Sequence, residues 1–175
     1  MQRSIPAAAL ICLLAPGVMV GQADTSSAVY RYRVAIAALL QLKPGMVAAE
    51  VTATPAAVIV PEMAPTVTAS GRAFAATLDK KTGATNLEPA SVDAVALISA
   101  FGAVAQPKEL IDGIAKALKP GGALLVVDVP QENDGKKVIG MEADDVVKLA
   151  AAAGLKREAE SGIVPGHYAI RFRKL

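Results

Sequence analysis

Residues 91–130, SVDAVALISAFGAVAQPKELIDGIAKALKPGGALLVVDVP, change periodicity twice, and the change decides the fold. Val92 to Ile98 is a nearly continuous apolar run, as a strand covered on both faces of a parallel sheet requires. From Pro107 the spacing becomes helical. Pro107 suits a first helical turn, Glu109 favours the positive helix end, and Leu110, Ile111, Ile114, Ala117 and Leu118 form one apolar stripe. Lys119, Pro120, Gly121 and Gly122 stop that helix, because proline cannot continue it and glycine accepts left-handed geometry. Ala123 to Val129 is again an apolar strand. Two strands joined by a helix run parallel with a right-handed crossover, the unit of a doubly wound α/β fold.

Upstream, Ser26 or Ser27 can cap a helix from Ala28 to about Gln41, with Ile36, Leu39 and Leu40 on its apolar face. A Lys43-Pro44-Gly45 turn and a strand from Met46 to Val51 follow. LLQLKPGMVAAEV and AKALKPGGALLVVDV therefore share one plan: a helix end, a Lys-Pro-Gly turn, and a strand with an acid near its carboxyl end, Glu50 or Asp128. The next helix, near Pro55, must be short, because VIVPEMAP carries three β-branched residues and then Pro61 and Pro65. Thr66 to Ser70 reads as the second strand and Ala73 to Lys81 as a helix.

In this order the pieces resemble the class I S-adenosylmethionine-dependent methyltransferases: LKPGMVAAEV, then SVDAVALISAF, then ALKPGGALLVVDV. The tail from Met141 resembles the end of that fold, a helix, an Ala-Gly-Leu stop and an antiparallel strand pair. The resemblance covers roughly residues 28 to 175. It implies a mostly parallel, Rossmann-like sheet, S-adenosylmethionine as cofactor, and methyl transfer to a small-molecule or unknown acceptor. Between Gly71 and Ser91 there is no room for the family's third strand, so that strand is expected to be missing or rudimentary.

The resemblance also implies cofactor positions. The family places an acid at the end of the first strand and glycines at alternate positions in the turn that follows. Aligned through Glu50, those glycine positions hold Thr52, Thr54 and Ala56. Glycine permits positive φ and lets a ligand approach the backbone. A threonine forced to positive φ costs on the order of 1–2 kcal/mol, so a different turn is expected. The second-strand acid that would hold the ribose falls, by spacing, on Gly71. Glu50 has two readings: orienting the amino group of a bound methionine moiety, or standing as a solvated strand-end carboxylate. Ser99, at the end of its strand, is either a ligand contact or a loop hydroxyl. Asp93 and Asp128 read as structural strand-flanking acids. His167, the sole histidine, reads as surface or turn packing rather than a general base. No catalytic triad and no metal-ligand cluster emerges, and no catalytic residue is assigned.

Composition bounds the remainder. The 175 residues, 53% hydrophobic and 19% charged, suit one globular domain over residues 24–175. With three Phe, three Tyr and no Trp, the core is built from small aliphatic residues. The net charge of +2 is spread along the chain without a basic block, so no nucleic-acid surface is expected. Residues 1–23 read as a signal peptide: Arg3, an apolar run from Ile5 to Val20 broken by Pro6 and Pro16, and a small-x-small site at Gly21, Gln22 and Ala23. An uncleaved anchor is the alternative, although the run is short for a bilayer span. Cleavage leaves no stable membrane span, removes Cys12, the sole cysteine, and implies a periplasmic or secreted protein. Three functions fit: an exported methyltransferase, a degenerate pseudoenzyme acting as a binding or structural scaffold, or a module for another small ligand in the same cleft.

Overall fold

The computed structural model describes residues 27–54, 56–133 and 138–175, so the expected leader lies outside the described residues. Ser27 opens the first helical segment, its hydroxyl accepting the Tyr30 N–H at 3.2 Å. The expected single helix is two, α1 (Ala28–Arg31) and α2 (Arg33–Leu39), parted at Tyr32. Arg33 explains the break: its guanidinium donates to the Tyr30 carbonyl at 3.0 Å, stacks over the Tyr30 ring, and pairs with Glu62 at 2.8 Å. A carbonyl occupied by a side chain is poorly placed to continue the helical ladder.

β1 (Val47–Thr52) follows the Lys-Pro-Gly turn, then α3 (Val60–Met63) and β2 (Arg72–Ala76). β3 (Val92–Ile98) and α4 (Pro107–Ala117) fall where the periodicity put them, and β4 (Leu118–Asp128) starts earlier than expected because Leu118 pairs with Val92 across an irregular register. A minor ladder of β5 (Glu132–Asn133) and β6 (Val138–Ile139) precedes α5 (Ala143–Ala152), β7 (Leu155–Ser161) and β8 (Tyr168–Lys174).

The main sheet has the order β2-β1-β3-β4-β8-β7, parallel through β4, with β8 and β7 antiparallel. Six strands and an antiparallel C-terminal pair are the architecture the sequence implied, and the sheet stops at β2, where a third strand would have continued it. One face packs on α4 and α5 through residues such as Val95, Leu97, Leu124, Ile111, Ile114 and Val146. The other packs on the first three helices through Ala48, Ala94, Ala96, Ile36, Leu40 and Met63. Strand order reverses between β1 and β3, so their carboxyl ends form the switch point where open α/β sheets hold ligands.

Two expected elements are corrected. Thr66 to Ser70 is not a strand: the chain keeps turning after α3, with the Thr66 and Val67 N–H groups on the Met63 carbonyl and positive φ at Ala69 and Ser70. Val67 alone buries itself, so β-branched content there records an anchored turn. Ala73 to Lys81 is not a helix. Its helix-forming alanines are overruled by parallel pairing with β1, in the register Val47↔Arg72 to Val51↔Ala76.

Candidate functional site

Moving β2 to residues 72–76 moves the site. Val51 lies opposite Ala76, so the carboxyl end of β2 is at Thr77 and not at Gly71. Gly71 stands at the opposite, amino edge, where an added Cβ would come within 2.0 Å of the Val67 carbonyl oxygen and 2.5 Å of that of Met46. It is a glycine because two backbones cross there, and its assignment to a ribose-holding position is overturned by geometry.

Glu50 fits neither reading given by its sequence. It is 0% exposed, on the β1 face beneath α3. Its carboxylate accepts the N–H groups of Val58 at 2.7 Å, Ile59 at 2.8 Å and Val60 at 2.9 Å. The four-residue α3 has no side-chain cap of its own, so Glu50 supplies from β1 what an N-cap residue would supply locally. Asp128 is the counterpart at the end of β4. It is 2% exposed and accepts the N–H groups of Ala100 at 2.9 Å, Phe101 at 3.1 Å and Val129 at 2.8 Å. Burial pushes both carboxyls above their ordinary values against the pull of these donors, with His167 adding to that pull on Asp128.

The turn after β1 is filled by its own hydroxyls. Thr52 and Thr54 share a hydrogen bond at 2.9 Å, the Thr54 N–H donates to the Thr52 hydroxyl at 3.2 Å, and the Thr54 hydroxyl donates to the Ala56 carbonyl at 2.9 Å. Neither threonine nor Ala56 has positive φ, so the chain has taken another turn, as expected. Ala56 is buried and lies off the cleft. Ser99 closes β3 at φ +47, with its N–H on the Val127 carbonyl at 2.8 Å, and it too is not part of the cleft wall. His167 holds its Nδ1 at 2.9 Å from the Pro165 carbonyl, in keeping with turn packing. Asp93 joins the opposite edge of the sheet, accepting the Val47 N–H at 2.8 Å and pairing with Lys119.

A cleft of about 470 Å³ remains between the carboxyl ends of β1 and β2, walled by Thr52, Thr54, Ala76, Thr77, Leu78 and Lys80 among others. Thr77 and Lys80 escaped sequence reading because the strand they follow was misplaced. Once β2 is set at 72–76, the first residues beyond it are the signal. Lys80 is the one charged side chain on the cleft wall. Asp79, beside it, turns away: one carboxylate oxygen accepts the N–H groups of Lys81 at 2.8 Å and Thr82 at 3.2 Å, which hold its pKa low.

The strand-end acid is engaged by three N–H groups of its own chain, the turn is occupied by threonine side chains, and Lys80 is the charged residue on the cleft wall.

A family model described as "Methyltransferase domain" matches residues 40–126, from the end of α2 through most of β4. No protein of curated function matches. Among solved structures the chain is similar to a SAM-dependent methyltransferase from Aquifex aeolicus, at 16% identity and TM-score 0.64 over 83% of this chain and 93% of that one. It is similar to an S-adenosylmethionine-dependent methyltransferase from Mesorhizobium loti at 11% identity and TM-score 0.56, over 85% and 99% of the two chains. The [4+2]-cyclase SpnF also aligns, at 16% identity and TM-score 0.61 over 88% of this chain and 83% of that one. At these identities the structural likeness establishes the fold.

Proposed function

The chain belongs to the class I S-adenosylmethionine-dependent methyltransferase family, and from that premise we propose that it is a member without methyl transfer, a binding scaffold whose donor cradle is closed by its own groups. The observation that carries this reading is Glu50. A carboxylate that is 0% exposed and already accepts three backbone N–H groups keeps at most one lone-pair site, and no open surface, for an incoming ammonium. The threonine hydroxyls in the turn and the Lys80 ammonium act in the same direction. We further propose that the protein is exported with residues 1–23 removed, which would part it from a donor made in the cytosol. Mass spectrometry of the mature protein then gives a chain beginning at Asp24.

Calorimetric titration with S-adenosylmethionine and its demethylated product tests the scaffold reading. It predicts no saturable heat up to millimolar ligand. Affinity tighter than millimolar overturns it in favour of the second reading, methyl transfer to a small-molecule acceptor. That second reading is favoured by the cleft itself, which lies at the ligand-binding edge and within the roughly 300–1,000 Å³ typical of small-molecule sites.

A further inference from the structure

The two edges of the main sheet are finished differently. β7 is guarded: Lys156, Arg157, Glu158 and Glu160 are exposed along it, and its register with β8 slips between Arg157 and Ala159. Charges and irregularities of this kind keep a further strand from pairing with an edge. β2 carries neither defence along its middle. It runs Arg72, Ala73, Phe74, Ala75, Ala76 in unbroken register with β1.

That register fixes which backbone groups of β2 are open. The Arg72 N–H donates to the Met46 carbonyl at 3.1 Å, so Arg72, Phe74 and Ala76 turn their N–H and C=O groups toward β1. Ala73 and Ala75 turn theirs outward, where no strand lies and no turn hydrogen bond among the described residues reaches them. Two residues on, the same row is closed, because the Thr77 N–H donates to the Asn86 side-chain oxygen at 2.9 Å. Ala75 also lines the cleft of about 470 Å³, so the open backbone and the cavity adjoin. Charge is one-sided there. Arg72 opens the strand, its guanidinium 5.0 Å from the centre of the Phe74 ring, and Lys80 stands on the cleft wall. Neither is in an ion pair among the described residues. Asp79, next to Lys80 in the chain, has one carboxylate oxygen on the Lys81 and Thr82 amides.

We propose that the outer edge of β2 takes an extended acidic peptide as an added strand, with one acidic side chain of that peptide in the cleft beside Lys80. Ala73 and Ala75 supply the main-chain donors and acceptors that strand addition uses, and the adjoining cleft supplies the side-chain pocket that gives it selectivity. Arg72 and Lys80, unpaired and near opposite ends of the edge, favour carboxylates over ammonium groups. This names a partner for the scaffold proposed above and rests on that reading.

The test is fluorescence anisotropy of a labelled peptide alternating glutamate and valine, titrated with the full chain, alongside amide hydrogen exchange at Ala73 and Ala75. Saturable binding is expected, with slowed exchange at both amides, about tenfold weaker binding when lysine replaces glutamate in the peptide, and no binding when the peptide's backbone nitrogens are methylated. Ala75→Pro removes an outward N–H and leaves the pairing with β1, as an edge strand permits, so it should abolish binding. Lys80→Glu should reverse the preference between the glutamate and lysine peptides. No saturable binding, equal binding of the methylated peptide, unchanged affinity in Ala75→Pro, or no preference for glutamate would each overturn the proposal. So would protection of Ala73 and Ala75 that rises with protein concentration in the absence of peptide, which assigns the edge to a second copy of the chain. Should Ala75→Pro fail to fold, Lys80→Glu decides. The scaffold reading stands or falls separately, on the heat of S-adenosylmethionine binding.

Discussion

The two crossover units of this sheet are built on one plan and held by different forces. In β3-α4-β4 an eleven-residue helix lays Leu110, Ile111 and Ile114 on the sheet, and burial of that stripe fixes the connection. In β1-α3-β2 the helix is four residues long, β2 lies at the sheet edge, and the connection is pinned by three N–H groups on one buried carboxylate. The long crossover also has a strand-end acid on its turn, Asp128 accepting the Ala100 and Phe101 N–H groups, but its helix packs on the sheet without that support. A crossover too short to pack draws on the strand-end acid for support, and the family's donor site then loses its anchor.

That contrast can be broken most sharply at Glu50. Glu50→Ala leaves three buried donors without an acceptor, each worth about 1–3 kcal/mol, so a loss of roughly 3–5 kcal/mol is expected in denaturant unfolding. Asp128→Ala, which frees three donors likewise, should cost about the same. A Glu50→Ala loss under 1 kcal/mol would mean that the first unit is held otherwise.

Next in size is Ile114→Ala, expected to cost about 3 kcal/mol from a fully buried helix position. Met63→Ala, at an equally buried position on α3, should cost about 2 kcal/mol and loosen only the first unit. If native-state hydrogen exchange shows both variants opening the whole sheet equally, the two units are not separable.

Acid sharpens the comparison further, because the buried and bridging carboxyls have opposite signs. Glu50 and Asp128 have raised values when folded, so the folded chain takes up their protons more readily than the unfolded chain. As pH falls through those raised values toward the ordinary 4.5 and 3.8, both contribute gains in stability. Asp93 is the reverse. Its partial burial raises its value, but Lys119 and the Val47 N–H outweigh that and hold it low, so its contribution is present above 3.8 and lost as pH falls through the folded value. Glu50→Gln should flatten the upper limb of the stability–pH curve, and Asp93→Asn the lower one. Unchanged upper limbs in both Glu50→Gln and Asp128→Asn would contradict the raised values.

The smallest effect expected is on the turn. Thr52→Gly, Thr54→Gly and Ala56→Gly together remove the hydroxyl network yet leave Glu50 on its three amides, so any gain in S-adenosylmethionine affinity should stay below tenfold by calorimetry. A larger gain would put the defect in the turn alone.

What the sequence made legible follows the same division. β3, α4 and β8 were readable because each buries a pattern of its own, whereas β7, exposed beyond Leu155, was placed by the Ala-Gly-Leu stop before it. β2 was not: Arg72–Ala76 carries helix-forming alanines, and only pairing with β1 makes it a strand. Gly71 was placed at the wrong edge of the sheet for that reason alone. The sequence singled out Glu50 but not its task, since Val58, Ile59 and Val60 offer backbone and no side-chain signal. Arg171 and Gln41, 130 positions apart, meet only through the fold.

Amide hydrogen exchange at Val58, Ile59 and Val60, followed with and without S-adenosylmethionine, bears most directly on the closed cradle. Strong protection in the free protein, lost in Glu50→Gln and unaltered by the donor, is the predicted result. Rapid exchange in the free protein, or protection that changes when the donor is added, would show a cradle still open to its ligand.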